Sequence, residues 1–221
     1  STPMTGNRHD VAGYAEVITS LIQHLGARPV VLLGHSFGSL VAARVAASAP
    51  EFVRSLVLVN PISSPALDGP RLQAQVTRAY HACARMLPAR GGHALLSNKL
   101  VVLGASRAMM RTKDKLIRRF VYDNHLRYFS RFHSPALLNE VYEASISHTV
   151  MADAGALSMP TLLIAGETDE IAPLAGQRAL VAVLERGQLV VIPDVGHLVH
   201  YETPRTAATE IERFLSARGE Q

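Results

Sequence analysis

Gly34-His35-Ser36-Phe37-Gly38 sets a serine between two glycines, after the apolar run "PVVLL" (29–33) and at the head of the small-residue stretch "FGSLVAARVAASAP" (37–50). An ordinary strand-to-helix connection needs no such pattern. A hydroxyl at the tip of a tight turn is exposed for attack on an electrophile, and a helix starting there aims its N-terminus at the negative charge that develops. Both Gly34 and Gly38 are expected to be required, because side chains two residues either side of the serine would collide. A serine hydroxyl is a poor nucleophile until a base takes its proton, so the chemistry needs a histidine and an acid to orient it.

The chain has ten histidines, and two later loops can supply both partners. "IPDVGHLVHYETP" (192–204) holds His197 directly after a glycine, while His200 is read as opening the next helical turn. "GETDEIAP" (166–173) holds Asp169. Asp194 lies close to His197 in sequence, but the short span hinders its approach to a ring nitrogen. Asn60 stands at another strand exit and has no carboxylate to offer.

Positioning these groups requires a sheet. "PVVLL" reads as a strand covered on both faces, and "VRSLVLVN" (53–60), "PTLLIAGE" (160–167) and "GQLVVIPD" (187–194) as three more. Helices are predicted over 10–25, where Val11, Tyr14, Ala15, Ile18, Leu21, Ile22 and Leu25 recur at helical spacing before Gly26, and over 37–50, 173–185 and 203–218. In the last of these Thr203 is the expected N-cap and Pro204 lies in the first turn. Strands alternating with helices imply a parallel sheet and an α/β fold. Between 65 and 152 the rhythm changes to helical patterns near 70–87, 91–103, 113–129 and 135–147, the third carrying a stripe of Leu116, Ile117, Phe120, Val121 and Tyr128. An insertion between two parallel strands sits over their carboxyl ends, where open α/β sheets bind ligands.

"GHSFGS", "GETDEIAP" and "IPDVGH" occur here in the order nucleophile, acid, histidine, and on them the chain resembles the α/β-hydrolase superfamily of serine hydrolases with a helical cap. The likeness runs from about residue 8 to the C-terminus and is architectural alone within the cap. It implies a core of residues 1–64 and 153–221 and a helical cap over 65–152 that covers a pocket containing Ser36. It also implies a Ser36–His197–Asp169 triad, no cofactor and no metal, with the backbone N–H of Phe37 as an oxyanion donor. The expected reaction is cleavage of a carboxylic ester or related acyl compound. Carbon–carbon hydrolysis of ring-fission products and non-catalytic ligand binding are the alternatives. A serine at the elbow disfavours Asp-nucleophile enzymes, and the absence of tryptophan removes the halide-binding side chain usual in dehalogenases. Ser39 stands where many members have a second glycine.

Complete relatives begin with further strands, including an H-G-type loop that supplies the other oxyanion donor, and "STPMTGNRHD" resembles the segment just after that region. The chain is therefore expected to be the larger C-terminal part of a hydrolase. Strand 29–33, central in the complete fold, would alone present an apolar edge, leaving residues 1–221 poorly soluble and inactive.

With 221 residues, 48% of them hydrophobic, the chain can bury the core of one sizeable domain. The single cysteine, Cys83, excludes an intrachain disulfide framework and fits a reducing compartment, so a cytoplasmic location is expected, an upstream signal being left open. Net charge is +4, and the excess gathers in Arg107, Arg111, Lys113, Lys115, Arg118, Arg119, Arg127 and Arg131 against Asp114 and Asp123. This reads first as the solvated face of amphipathic helices, with an anionic substrate or membrane surface as the alternative. No recognition motif accompanies the charge, which argues against nucleic acid. The expected partner is a small molecule with an apolar acyl or ring group, motivated by the leucine, alanine, Met86, Met109 and Met110 of the cap, residues that could equally form the cap's own core.

Overall fold

A computed structural model describes residues 4, 8–26, 29–64, 71–129 and 131–219. Most of "STPMTGNRHD" and residues 65–70, where the helical insertion is expected to begin, lie outside them. Four strands, β1 (Val30–His35), β2 (Val53–Val59), β3 (Thr161–Gly166) and β4 (Gly187–Ile192), pair in parallel in the order β1-β2-β3-β4. Their register aligns His35 with Val59, Val59 with Ile164 and Ile164 with Val190, so the four strand exits share one edge of the sheet.

Alternation along the central strands separates two cores. Leu56, Leu58 and Leu163 turn to one face with residues of α1 (Val11–Leu25), α2 (Phe37–Ser48) and α8 (Leu174–Val183). Val57, Val59, Leu162 and Ile164 turn to the other with Val199, at the start of α9 (Val199–Glu202), and Ala207 and Phe214 of α10 (Pro204–Ser216). Leu56, Leu58 and Leu163 are completely buried, and truncating one such leucine to alanine costs about 2–5 kcal/mol.

The edges depart from the sequence reading. Among the described residues β1 pairs with β2 alone and so forms a sheet edge, as expected of residues 1–221 by themselves, but Leu33 is 52% exposed, so β1 is not covered on both faces. In α1, Asp10 caps the start through the Gly13 N–H and Gly26 ends the helix at φ 64°, but Leu21 and Leu25 at the margin of the predicted stripe are exposed. Thr203 precedes α10 without capping it through its side chain.

Between β2 and β3 run α3 (Arg71–Met86), α4 (Ala89–Leu96), α5 (Lys99–Met109), α6 (Lys115–Tyr128) and α7 (Pro135–Ser147), with no strand among the described residues there. The predicted helix over 91–103 is instead two helices, because Asn98 accepts the Leu100 N–H and starts a new one. In α6 the inward face carries Val121 and His125, whereas Leu116 and Phe120 of the expected stripe are 79% and 58% exposed. Met110 is buried against Val121 and Leu198 with Met109 beside it, and Met86 is 86% exposed, so these methionines are core and surface rather than a pocket lining. No helix among the described residues is long and apolar enough to cross a membrane.

Candidate active site

β1 ends at His35 and α2 starts at Phe37, which leaves Ser36 alone to make the turn at φ 51° and ψ −119°. A non-glycine residue held there costs about 1–3 kcal/mol, so its surroundings must fix it. The Ser36 N–H donates to Val59 O at 3.1 Å. Its carbonyl accepts the Ser39 N–H at 2.9 Å and the Ser39 hydroxyl at 2.5 Å. That hydroxyl, fully buried, also accepts the Ile62 N–H at 3.2 Å, so the serine standing in place of a glycine ties the turn to the exit of β2. The two flanking glycines are not equivalent, contrary to expectation. A Cβ on Gly34 would lie 2.3 Å from Gly38 O, whereas one on Gly38 would meet nothing within 4 Å. The close approach of backbone at 34 requires glycine; position 38 faces open space.

The Ser36 hydroxyl donates to His197 Nε2 at 2.8 Å, and His197 Nδ1–H donates to Asp169 Oδ2 at 2.7 Å. Both His197 and Asp169 side chains are almost wholly buried. The other carboxylate oxygen, Oδ1, accepts the N–H groups of Ile171 and Ala172 at 2.8 and 3.1 Å. Burial alone would raise the Asp169 carboxyl, but the hydrogen bond and charge of His197, with those two backbone donors, hold it below the usual carboxylate range. His200 instead packs at a tilt against His35, ring centroids 4.3 Å apart, and Asp194 sits exposed at φ 59° with its N–H on Glu167. Phe37 opens α2, so its N–H has no acceptor within the helix.

Two further residues belong to this arrangement. Asn60, buried at φ 43°, donates from Nδ2 to Gly196 O at 3.1 Å and His197 O at 2.8 Å and accepts the Gly166 N–H at 2.8 Å. It joins the exits of β2 and β3 to the histidine loop. His35 Nε2–H donates to the same His197 carbonyl at 2.9 Å. Burial first, then the neighbouring His197 and His200, pushes His35 down to about 3, so its ring stays neutral. Asn60 has one sequence signal, its place directly after a strand, and His35 one, its place next to the serine; the carbonyl they share belongs to a residue more than 130 positions away.

A cavity of about 530 Å³ opens between the start of α1 and helices α3 and α7, lined by Arg8, His9, Asp10, Asn139, Glu140 and His148 among others. Several charged residues line it and Ser36 does not, so it is not the pocket containing Ser36 expected from sequence. Among the described residues no group of three or more His, Cys, Asp or Glu side chains is placed to hold a metal ion.

A hydroxyl, an imidazole and a carboxylate in one hydrogen-bonded line can pass a proton from the first to the second while the third stabilises the resulting imidazolium. The profile of a family described as "alpha/beta hydrolase fold" matches residues 1–204. Among curated proteins, "Putative carbamate hydrolase RutD" of Klebsiella pneumoniae is 26% identical over 209 residues, covering 95% of this chain and 74% of that protein. A thermophilic esterase from Thermogutta terrifontis superposes with a TM-score of 0.74 at 22% identity, over 98% of this chain and 75% of that one. The esterase EaEST from Exiguobacterium antarcticum gives 0.74 at 16% identity, over 97% and 76%. At these identities the two solved structures show likeness of fold.

Proposed function

Since the chain belongs to the α/β-hydrolase family, we propose that it is a serine hydrolase of carboxylic esters or related acyl compounds, with Ser36, His197 and Asp169 as its triad. The observation that carries this reading is the unbroken line Ser36 Oγ to His197 Nε2 (2.8 Å) and His197 Nδ1 to Asp169 Oδ2 (2.7 Å). Ser36 Oγ attacks the acyl carbon as its proton moves to Nε2, and the carbonyl electrons move onto oxygen. The oxyanion faces the Phe37 N–H and the positive end of α2. As the tetrahedral species collapses, the imidazolium gives its proton to the leaving oxygen or nitrogen, and an acyl ester remains on Ser36. Water then attacks that ester with His197 as base; the acid departs and the hydroxyl is restored. Asp169 keeps Nδ1 protonated and stabilises the imidazolium in both halves. Helices α3–α7 act as a cap over this edge of the sheet.

Carbamates are acyl compounds too, and the name of the RutD relative makes them one of the classes to assay. The test is turnover of short-chain nitrophenyl esters and carbamates, together with the mass increment left on Ser36 by a fluorophosphonate. Turnover and labelling should both vanish in Ser36→Ala, a loss of roughly 10⁴–10⁶-fold in rate. Turnover that survives this substitution refutes the assignment.

A further inference from the structure

Glu202 closes α9 five residues after His197, and it is buried. Its described partners are not cations but three main-chain N–H groups. Oε1 accepts from Gly196 at 3.3 Å, inside the histidine loop. Oε2 accepts from Arg111 at 2.8 Å and also from Thr112, both in the link between α5 and α6. The Arg111 guanidinium is engaged elsewhere, on Glu170 at 2.7 Å and Ala108 O at 2.8 Å. The end of α5, where that link begins, touches the histidine directly, since the His197 N–H donates to Met109 O at 2.9 Å. The approach is close: a Cβ on Gly196 would lie 2.7 Å from Met109 O.

The two peptide groups of His197 therefore go to different parts of the molecule. Its carbonyl is held by Asn60 and His35 of the sheet, and its N–H by the helical segment. Resting on the serine-hydrolase reading, we propose that Glu202 is a positioning residue that clamps the α5–α6 link to the histidine loop and so makes the orientation of His197 depend on the cap. A carboxylate suits this task because each oxygen accepts independently, one toward the loop and one toward the link. An amide has a single acceptor oxygen, and its NH₂ would confront an N–H on the other side.

The experiment compares wild type, Glu202→Gln, Ser36→Ala and Arg44→Ala in the intact protein. The last removes an ion pair to Asp153 (3.0 Å) remote from the histidine loop and controls for general destabilisation. The readouts are the fluorophosphonate labelling rate per folded molecule and the downfield proton resonance of His197 Nδ1–H. Misplacement of a reacting group by about 1 Å costs about 10²-fold, so Glu202→Gln, which keeps one side of the clamp, should label about 10-fold or more slowly and shift or broaden that resonance. Arg44→Ala should label at the wild-type rate once corrected for folded fraction. If Glu202→Gln melts below the assay temperature, Glu202→Asp replaces it with the same expectation, since its carboxylate is withdrawn by one methylene. A folded Glu202 variant with wild-type labelling and an unmoved resonance overturns the proposal. Labelling that persists in Ser36→Ala overturns the serine-hydrolase reading instead, a separate result.

Discussion

Asn60→Asp changes one NH₂ group to an oxygen and almost nothing in shape. In the native protein Nδ2 lies 3.1 Å from Gly196 O and 2.8 Å from His197 O, while Oδ1 receives the Gly166 N–H. A neutral carboxyl at this place still accepts from Gly166 and has one O–H for two carbonyls. One hydrogen bond is lost, at about 1 kcal/mol. Ionised, it presents a buried negative oxygen to two carbonyl oxygens, and an uncompensated buried charge costs about 3–5 kcal/mol. The introduced carboxyl thus has a folded-state pKa raised above its unfolded value. Between those two values the native state binds more protons than the unfolded one, so stability falls as pH rises, by about 1.4 kcal/mol per unit of displacement. Denaturant melts of variant and wild type across pH should give a stability difference of about 1 kcal/mol in acid that widens to about 3–5 kcal/mol at pH 8. A difference that is constant, or that shrinks as pH rises, refutes the account of Asn60 as a buried donor to the histidine loop.

Two other outcomes follow from contacts in the structure. Gly34→Ala drives a Cβ to 2.3 Å from Gly38 O and should abolish folding or soluble expression, whereas Gly38→Ala meets no atom within 4 Å and, lying in α2, should leave the melt unchanged or raise stability by up to about 1 kcal/mol; equal effects at both positions would contradict this. Asp169, whose folded-state pKa is lowered, contributes stability that is present above its unfolded value and lost as pH falls through the folded one, so the gap between wild type and Asp169→Asn in denaturant melts should close in acid; a gap that widens there is the contrary result.

Ser36, Asp169 and His197 were legible because each sits in a short stretch whose residue types serve a local purpose: a turn with a glycine the backbone needs, and two loops leaving strands. The parallel sheet was legible for a similar reason, since continuous β-branched runs bounded by helices have few other uses. Asn60 has no carboxylate to serve as the acid, yet its value lies in the amide's donors, whose acceptors come from a loop 136 and 137 positions away. Glu202 reads as one more polar residue of a short helix until residues 111 and 112 are brought against it. Periodicity identified α6 but only part of its inward side, Ile117 and Val121. Leu116 and Phe120 repeat at helical spacing as faithfully as Val121 and His125, and packing chose the latter pair. The family assignment and the α/β-hydrolase fold stand. The cover on both faces expected for β1 does not hold among the described residues, where Leu33 is exposed.

The distance along the chain between Ser36 and His197 has a consequence for the time course of synthesis. The two residues that meet at 2.8 Å are 161 positions apart. At the roughly 5–20 residues per second of a translating ribosome, the serine is polymerised roughly 8–30 s before the histidine. For that interval its hydroxyl has no base and the reactivity of an ordinary alcohol. β4 must then pair with β3 before the histidine loop can reach the turn after β1. On the serine-hydrolase reading proposed above, a nascent chain thus carries no active nucleophile until β4 has paired, and hydrolytic competence arrives with that strand.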